Sequence, residues 1–168
     1  KQKTAYEIMP SLVGSEMCIR DRIKKGLEVI KEYAQKYNSV DGLYANVEDE
    51  YIRLFVGPFN PDILLYESEC SNNIETLLKI KQFYRKAGLK KSDNFKERED
   101  HLAIQFEFMR QLCEKNDISL QKKFFNHLYN WAIPLLKKII KCENARFYKG
   151  ISLIALGFLE SEYNIING

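Results

Sequence analysis

Apolar residues recur along most of this chain at three- and four-residue intervals, and each run is closed by residues that end helices. Ile23, Leu27, Ile30, Ala34 and Tyr37 keep one helical face through a Lys/Glu-rich segment that closes near Asn38-Ser39. Val47 to Val56 places Tyr51, Leu54 and Phe55 on one side and stops at Gly57-Pro58, where glycine admits left-handed backbone and proline lacks an N–H. Residues 57–70 carry Pro58 and Pro61 without a helical period, which predicts an irregular loop. Asn72 with Glu75 three residues on reads as a capping-box-like start. Ile74, Leu77, Leu78, Tyr84 and Ala87 follow, and Gly88 supplies the stop.

Residues 89–97 are charged and polar and predict an exposed linker. Glu99-Asp100-His101 then opens the most strongly marked helix, because acids suit the first turn, where unpaired N–H groups and the helix dipole present positive charge. A protonated histidine suits that place badly, so a neutral imidazole is expected at His101. Leu102, Phe106, Met109, Leu112 and Cys113 give the expected buried face. Asn116-Asp117 or Ser119 can cap the next helix, with Leu120, Phe124, Leu128 and Trp131 inward, Pro134 as a bend or restart, and an apolar side from Leu135 to Ile140. Asn144 leads a last helix with Phe147, Ile151, Ile154 and Phe158 aligned. Few strand-like alternations occur and no internal repeat is visible. The pattern predicts an all-α, single-domain helical bundle.

Composition narrows the class. A length of 168 residues suits one domain and buries a core without staples. A net charge of +3 without a dense basic run gives nucleic acid little to hold, and no apolar span approaches bilayer length. Cys18, Cys70, Cys113 and Cys142 are widely spaced, with no CxxC pair or zinc-like histidine spacing, so free, mostly buried thiols in a reducing cytoplasm are expected.

The first residues stand apart. The chain begins at Lys1 rather than Met, as a fragment would. Glu16-Met17-Cys18-Ile19-Arg20-Asp21 reads as a translation of GAG ATG TGT ATA AGA GAC, a string that resembles the end sequence of transposase-based sequencing libraries. Residues 1–22 are therefore expected to be a non-native segment without a fold, and residues 23–168 the domain. A signal peptide is excluded, because Ile8 to Val13 is too short an apolar core and is broken by Pro10.

Catalytic chemistry is thin. No GxGxxG or GxxxxGK[ST] phosphate cradle, no HExxH and no ExxH pair is present. Asp100-His101 has the types of an acid–base pair, yet no nucleophile or metal set accompanies it, and a carboxylate beside a histidine more often orients it or binds a partner. On residue types a binding protein is favoured over an enzyme. Tyr51, Leu54 and Phe55 read most simply as core, Arg53 as a surface ion pair or an organiser of the Gly57-Pro58 loop, and His127 and Trp131 as packing.

Five segments, in order, resemble the TorD/DmsD/NarJ-like redox-enzyme maturation chaperones. Glu50-Tyr51-Ile52-Arg53-Leu54-Phe55-Val56-Gly57-Pro58 is similar to the family's EYxRLFxGP motif. Tyr66-Glu67-Ser68 falls where its short YES segment lies, and Glu99-Asp100-His101-Leu102-Ala103 with Glu107-Phe108-Met109 resembles EDHLAxxxEFM. Phe125-Asn126-His127-Leu128 with Trp131 and Pro134 resembles FxxHLxxWxP, and Phe147-Tyr148 sits as its late FY pair does. The matches cover residues 23–160. Three departures stand out: Arg98 replaces the proline before the EDH acid, Glu69-Cys70 replaces an aromatic, and residues 1–22 do not resemble the family's first helix. Without that helix, core surface on the Leu54 or Phe158 faces would be exposed.

The resemblance implies a cytoplasmic chaperone that binds the twin-arginine leader, or another part, of an apo-molybdoenzyme catalytic subunit until its molybdopterin cofactor is inserted. It implies no catalytic residue and no metal or resident cofactor, with weak guanine-nucleotide binding in some members, and a monomer or a helix-swapped homodimer. The expected peptide-binding residues are Asp100, His101, Tyr66, Glu67, Ser68, Tyr51, Arg53, Gly57 and Pro58; the first five are expected to converge on one exposed groove, with an apolar floor and acidic lips, near the end of the helix that carries Tyr51 and Arg53. A helical adaptor or regulator without a redox client, DNA-binding or otherwise, is the alternative, although no helix-turn-helix with a basic recognition face stands out. A hydrolase built on Asp100-His101 ranks last.

Overall fold

The computed structural model describes residues 5–57 and 63–167, with side chains from residue 18 onward; Pro58 and Pro61 lie outside the described residues. Among the described residues the chain is all-helical. Its order is α1 (Ala5–Ala34), α2 (Val40–Tyr51), a π-helical turn (Ile52–Val56), α3 (Glu67–Cys70), α4 (Glu75–Lys86), α5 (Leu102–Lys115), α6 (Ile118–Lys141) and α7 (Phe147–Asn167). The all-α class matches the sequence reading. The described residues group into two compact units: residues 5–57 with 133–167, and residues 63–132. Helix α6 contributes to both, changing over after Ala132.

In the first unit α1 and α7 run antiparallel at close range. A Cβ on Gly26 would lie 2.7 Å from the Gly150 carbonyl oxygen, and one on Gly157 would lie 2.7 Å from Ile23 Cγ1. The missing side chains are what permit that approach. Tyr33 is buried and meets the Phe147 ring at 5.8 Å, and Arg22 pairs with Glu160. No break appears at residue 22: α1 runs through the expected boundary, Ile19 is buried and Arg22 is engaged. The closely packed α1 contact also turns α7. Gly150, Ser152, Leu153, Leu156, Gly157 and Leu159 are its buried residues, whereas Ile151 and Phe158, expected inside, are 41% and 51% exposed. Small residues at a tight helix contact displaced the larger apolar ones. Leu54, by contrast, is buried.

The second unit packs around stacked aromatics. The Tyr84 and Phe108 rings stack with centroids 4.0 Å apart, Phe124 meets Phe108 edge-on at 4.7 Å, and Ile80, Leu112 and Leu128 have no measurable exposure beside this cluster of buried residues. Helix α4 starts at Glu75, two residues later than Asn72 predicts: the Asn73 side-chain oxygen accepts from Glu75 N at 2.9 Å, and Asn72 itself takes a left-handed turn conformation. It ends at the expected place, since Gly88 has φ +60°. The buried face of α5 is Ile104, Gln105, Phe108 and Leu112, so of the expected stripe only Leu112 is fully inward, and Cys113 faces solvent. Asp117 caps α6 by accepting from Leu120 N at 3.0 Å. Helix α6 then continues through Pro134 without a restart. The carbonyl that Pro134 leaves without a donor belongs to Asn130, which is exposed and can be hydrated. The thiols are less buried than expected: Cys18, Cys70 and Cys113 are exposed and Cys142 is half-buried.

Candidate functional site

Two short segments meet in the second unit. Tyr66 and His101 form an antiparallel bridge, in which Leu102 N donates to Leu65 O at 2.9 Å and Glu67 N donates to Asp100 O at 3.1 Å. This brings Tyr66, Glu67 and Ser68 against Asp100 and His101, so five of the nine candidate residues share one junction. Tyr51, Arg53 and Gly57 belong to the first unit. There the Tyr51 ring meets Tyr148 at 5.9 Å, Arg53 is exposed on the π-helical turn, and Gly57 closes that turn by donating its N–H to Ile52 O at 2.8 Å. Pro58 lies outside the described residues.

Asp100 is not an acidic lip. It has no exposure, and its carboxylate accepts from Ser68 N at 3.1 Å, from Ser68 Oγ at 2.5 Å and from Arg98 Nε at 3.1 Å. A buried carboxylate is tolerated when donors satisfy it, and here a guanidinium, a hydroxyl and a backbone N–H do so. The acids that reach solvent at the junction are Glu69 and Glu97. Glu69 accepts from Arg98 Nη2 at 2.7 Å, and Tyr66 donates its hydroxyl to Glu97. The Arg98 guanidinium lies 4.4 Å from the centre of the Tyr66 ring.

Helix α5 begins at Leu102, one position after its cap, so the acidic pair precedes the helix rather than filling its first turn. The cap is His101, whose Nδ1 accepts from Ala103 N at 3.2 Å. An accepting Nδ1 carries no proton, which fixes the neutral tautomer with the hydrogen on Nε2. Burial holds this imidazole below the ordinary histidine range, against the pull of Glu97 and Asp100. Its ring meets the Tyr66 ring edge-on at 5.0 Å.

Glu67 points inward. Gln105 Nε2 donates to Glu67 Oε2 at 2.9 Å and to Asp100 O at 3.2 Å, His127 Nε2 lies 3.0 Å from the same carboxylate oxygen, and Trp131 Nε1 donates to Gln105 Oε1 at 3.1 Å. These bonds tie α3, α5 and α6 beneath the bridge. His127 and Trp131, read from the sequence as packing, thus hold polar positions, and Gln105 carries a role that the sequence reading missed. The signal was there: an amide on the inward side of an amphipathic helix, four residues after His101, requires buried partners. Arg98 was visible only as a departure from the family pattern.

In the same unit, the connection between α4 and α5 walls a cavity of about 250 Å³ lined in part by Tyr84, Leu89, Phe95, Ile104 and Phe108, with Lys90 and Lys91. The same connection carries Glu97 and Arg98. The arrangement offers carboxylates, an aromatic face and an apolar hollow, which suit recognition rather than bond-breaking. Among the described residues no group of three or more His, Cys, Asp and Glu side chains is placed to hold a metal ion, and no helix is long and apolar enough to cross a membrane.

The sequence profile of the nitrate reductase delta subunit family matches residues 18–137, more than half of the chain. A probable Tat proofreading chaperone DmsD of Haemophilus influenzae is 27% identical over 124 residues, 71% of this chain and 61% of that protein. A chaperone protein TorD of Shewanella piezotolerans is 23% identical over 176 residues, 95% of this chain and 81% of that protein. A TorD of Shewanella pealeana is 26% identical over 82 residues, 48% of this chain and 37% of that protein. The chain therefore spans about three fifths of the DmsD relative and less of the second TorD. No solved structure matches it. The profile covers more than half of the chain and the TorD and DmsD relatives agree with it: the chain belongs to the nitrate reductase delta subunit family, the all-helical redox-enzyme maturation chaperones that include TorD and DmsD.

Proposed function

We propose that the chain is a cytoplasmic chaperone that binds the twin-arginine leader of an apo-molybdoenzyme catalytic subunit and releases it once the molybdopterin cofactor is in place. The observation that carries this reading is the junction of Tyr66-Glu67-Ser68 with Asp100-His101, where Glu69, Glu97 and the Tyr66 ring offer a guanidinium its preferred partners. A leader presents two guanidinium groups followed by an apolar stretch. The acids suit the first, and the hollow lined by Phe95, Ile104 and Phe108 suits the second. The DmsD relative's name, a Tat proofreading chaperone, supports the same reading. The chain works as a monomer or a helix-swapped dimer and requires no metal or resident cofactor.

Fluorescence anisotropy with a labelled twin-arginine leader peptide tests this. The peptide should bind, its twin-lysine counterpart should bind about tenfold more weakly for want of the planar fork, and Glu69→Gln should weaken the arginine peptide about threefold to tenfold. Equal affinity for both peptides, indifferent to Glu69→Gln, would remove the junction from leader recognition.

A further inference from the structure

We propose that Arg98 occupies, from within the chain, a guanidinium seat that a leader arginine takes over on binding, so that Arg98 sets the threshold for leader capture. This rests on the leader-binding reading above. Five contacts define the seat: Nε donates to Asp100 Oδ1 at 3.1 Å, Nη2 donates to Glu69 Oε1 at 2.7 Å, to Ser68 Oγ at 3.4 Å and to Asp100 Oδ2 at 3.5 Å, and the guanidinium carbon stands 4.4 Å from the Tyr66 ring centre. Carboxylates set for a planar fork together with an aromatic face select guanidinium over ammonium.

Seat and occupant are held very differently. Asp100 has no exposure and is fixed by Ser68 N and Oγ, while Tyr66 is fixed by its bridge to His101 and by the imidazole edge against its ring. The Arg98 side chain is 45% exposed and sits on the non-helical connection between α4 and α5. An exposed arginine can rotate into water with little loss of packing, and its pair with the exposed Glu69 is individually weak, whereas the buried Asp100 carboxylate keeps Ser68 N and Oγ as donors and regains a guanidinium from the incoming arginine. The incoming arginine then inherits a preformed seat, and the exchange leaves charge and hydrogen bonding nearly balanced. Leader affinity is lowered by the factor needed to expel Arg98.

Arg98→Ala empties the seat, and Arg98→Lys fills it with an ammonium that cannot make the fork; circular dichroism checks that both variants fold. N-acetyl-arginine amide, followed through the Ser68 and Glu69 amide resonances, should bind Arg98→Ala about tenfold more tightly than the wild type, while N-acetyl-lysine amide should not discriminate. The twin-arginine peptide should gain about tenfold on Arg98→Ala, with Arg98→Lys between the two. Arginine amide that binds the wild type and Arg98→Ala alike overturns the seat. Measurable but equal peptide affinity for the wild type and both variants overturns the exchange and leaves the leader-binding reading intact. Peptide binding to none of the three overturns the leader-binding reading and the exchange with it, and the arginine-amide arm still reports whether the seat exists.

Discussion

The cap that His101 provides depends on its protonation state. Its Nδ1 caps α5 only as a neutral imidazole, and burial keeps the ring neutral by holding its proton affinity below the ordinary histidine value. The native state therefore binds fewer protons here than the unfolded chain. The stability contributed by neutral His101 is fully present above about pH 6.5 and is lost as pH falls from there through the folded-state value. His101→Asn retains a capping oxygen but cannot titrate. Urea midpoints at about pH 7.5 and about pH 5.5 should differ less for His101→Asn than for the wild type; an unchanged difference would show that other groups carry the acid sensitivity. Asp100→Asn acts on the same junction at any pH. Its amide would turn N–H groups toward donors from Ser68 or Arg98, so a loss of about 1–3 kcal/mol is expected in urea denaturation. The motifs made the meeting of these two segments legible in the sequence, but not the burial of Asp100. An acid reads as solvent-facing until its donors are known, and Ser68 lies 32 residues away along the chain.

Helix α7 shows the same dependence on distant partners at the scale of an element. Its first N–H groups have no intrahelical acceptors, and Asn144, which the sequence offers as the lead of this helix, lies three residues before its first residue, Phe147. Glu50 supplies the cap from the end of α2: its carboxylate, 1% exposed, accepts from Arg146 N at 2.8 Å, Phe147 N at 3.1 Å and Tyr148 N at 3.0 Å. A negative charge at a helix N-terminus is favoured by the dipole as well as by the bonds. Glu50→Ala should cost about 2–4 kcal/mol in urea denaturation, combining a lost cap with part-buried N–H groups left without an acceptor. Glu50→Gln should recover part of that, because one oxygen remains as acceptor. Wild-type stability in Glu50→Ala would remove the cap from the energetics of the first unit. Helix existence was readable from periodicity, as were the stops at Gly57 and Gly88. The buried faces of α5 and α7 were not, because Gln105 is inward through its bonds and Ile151 is outward through the glycine contact with α1.

For the molecule as a whole, the open question set by the sequence is where its native fold begins. The adaptor-like string ends near residue 22, whereas the family profile begins at residue 18, inside that string. The structure gives the intervening residues something to do. Ile19 is buried, its carbonyl oxygen lies 3.2 Å from where a Cβ on Gly157 would stand, and Arg22 pairs with Glu160. Burying an isoleucine side chain is worth about 1.5–3 kcal/mol, and the half-exposed ion pair adds at most about 1 kcal/mol. We therefore propose that the sequence up to residue 17 is dispensable and that the five residues after it are not, whatever their origin. Two truncations separate the possibilities. Removing residues 1–17 should leave the urea midpoint within the scatter of neutral surface changes, about 0.5 kcal/mol. Removing residues 1–22 should lower stability by about 2–3 kcal/mol, and Ile19→Ala in the full chain should reproduce most of that loss. If the longer truncation is as stable as the full chain, α1 contributes to the first unit only from Ile23 onward, and the contacts of Ile19 and Arg22 add nothing to its stability.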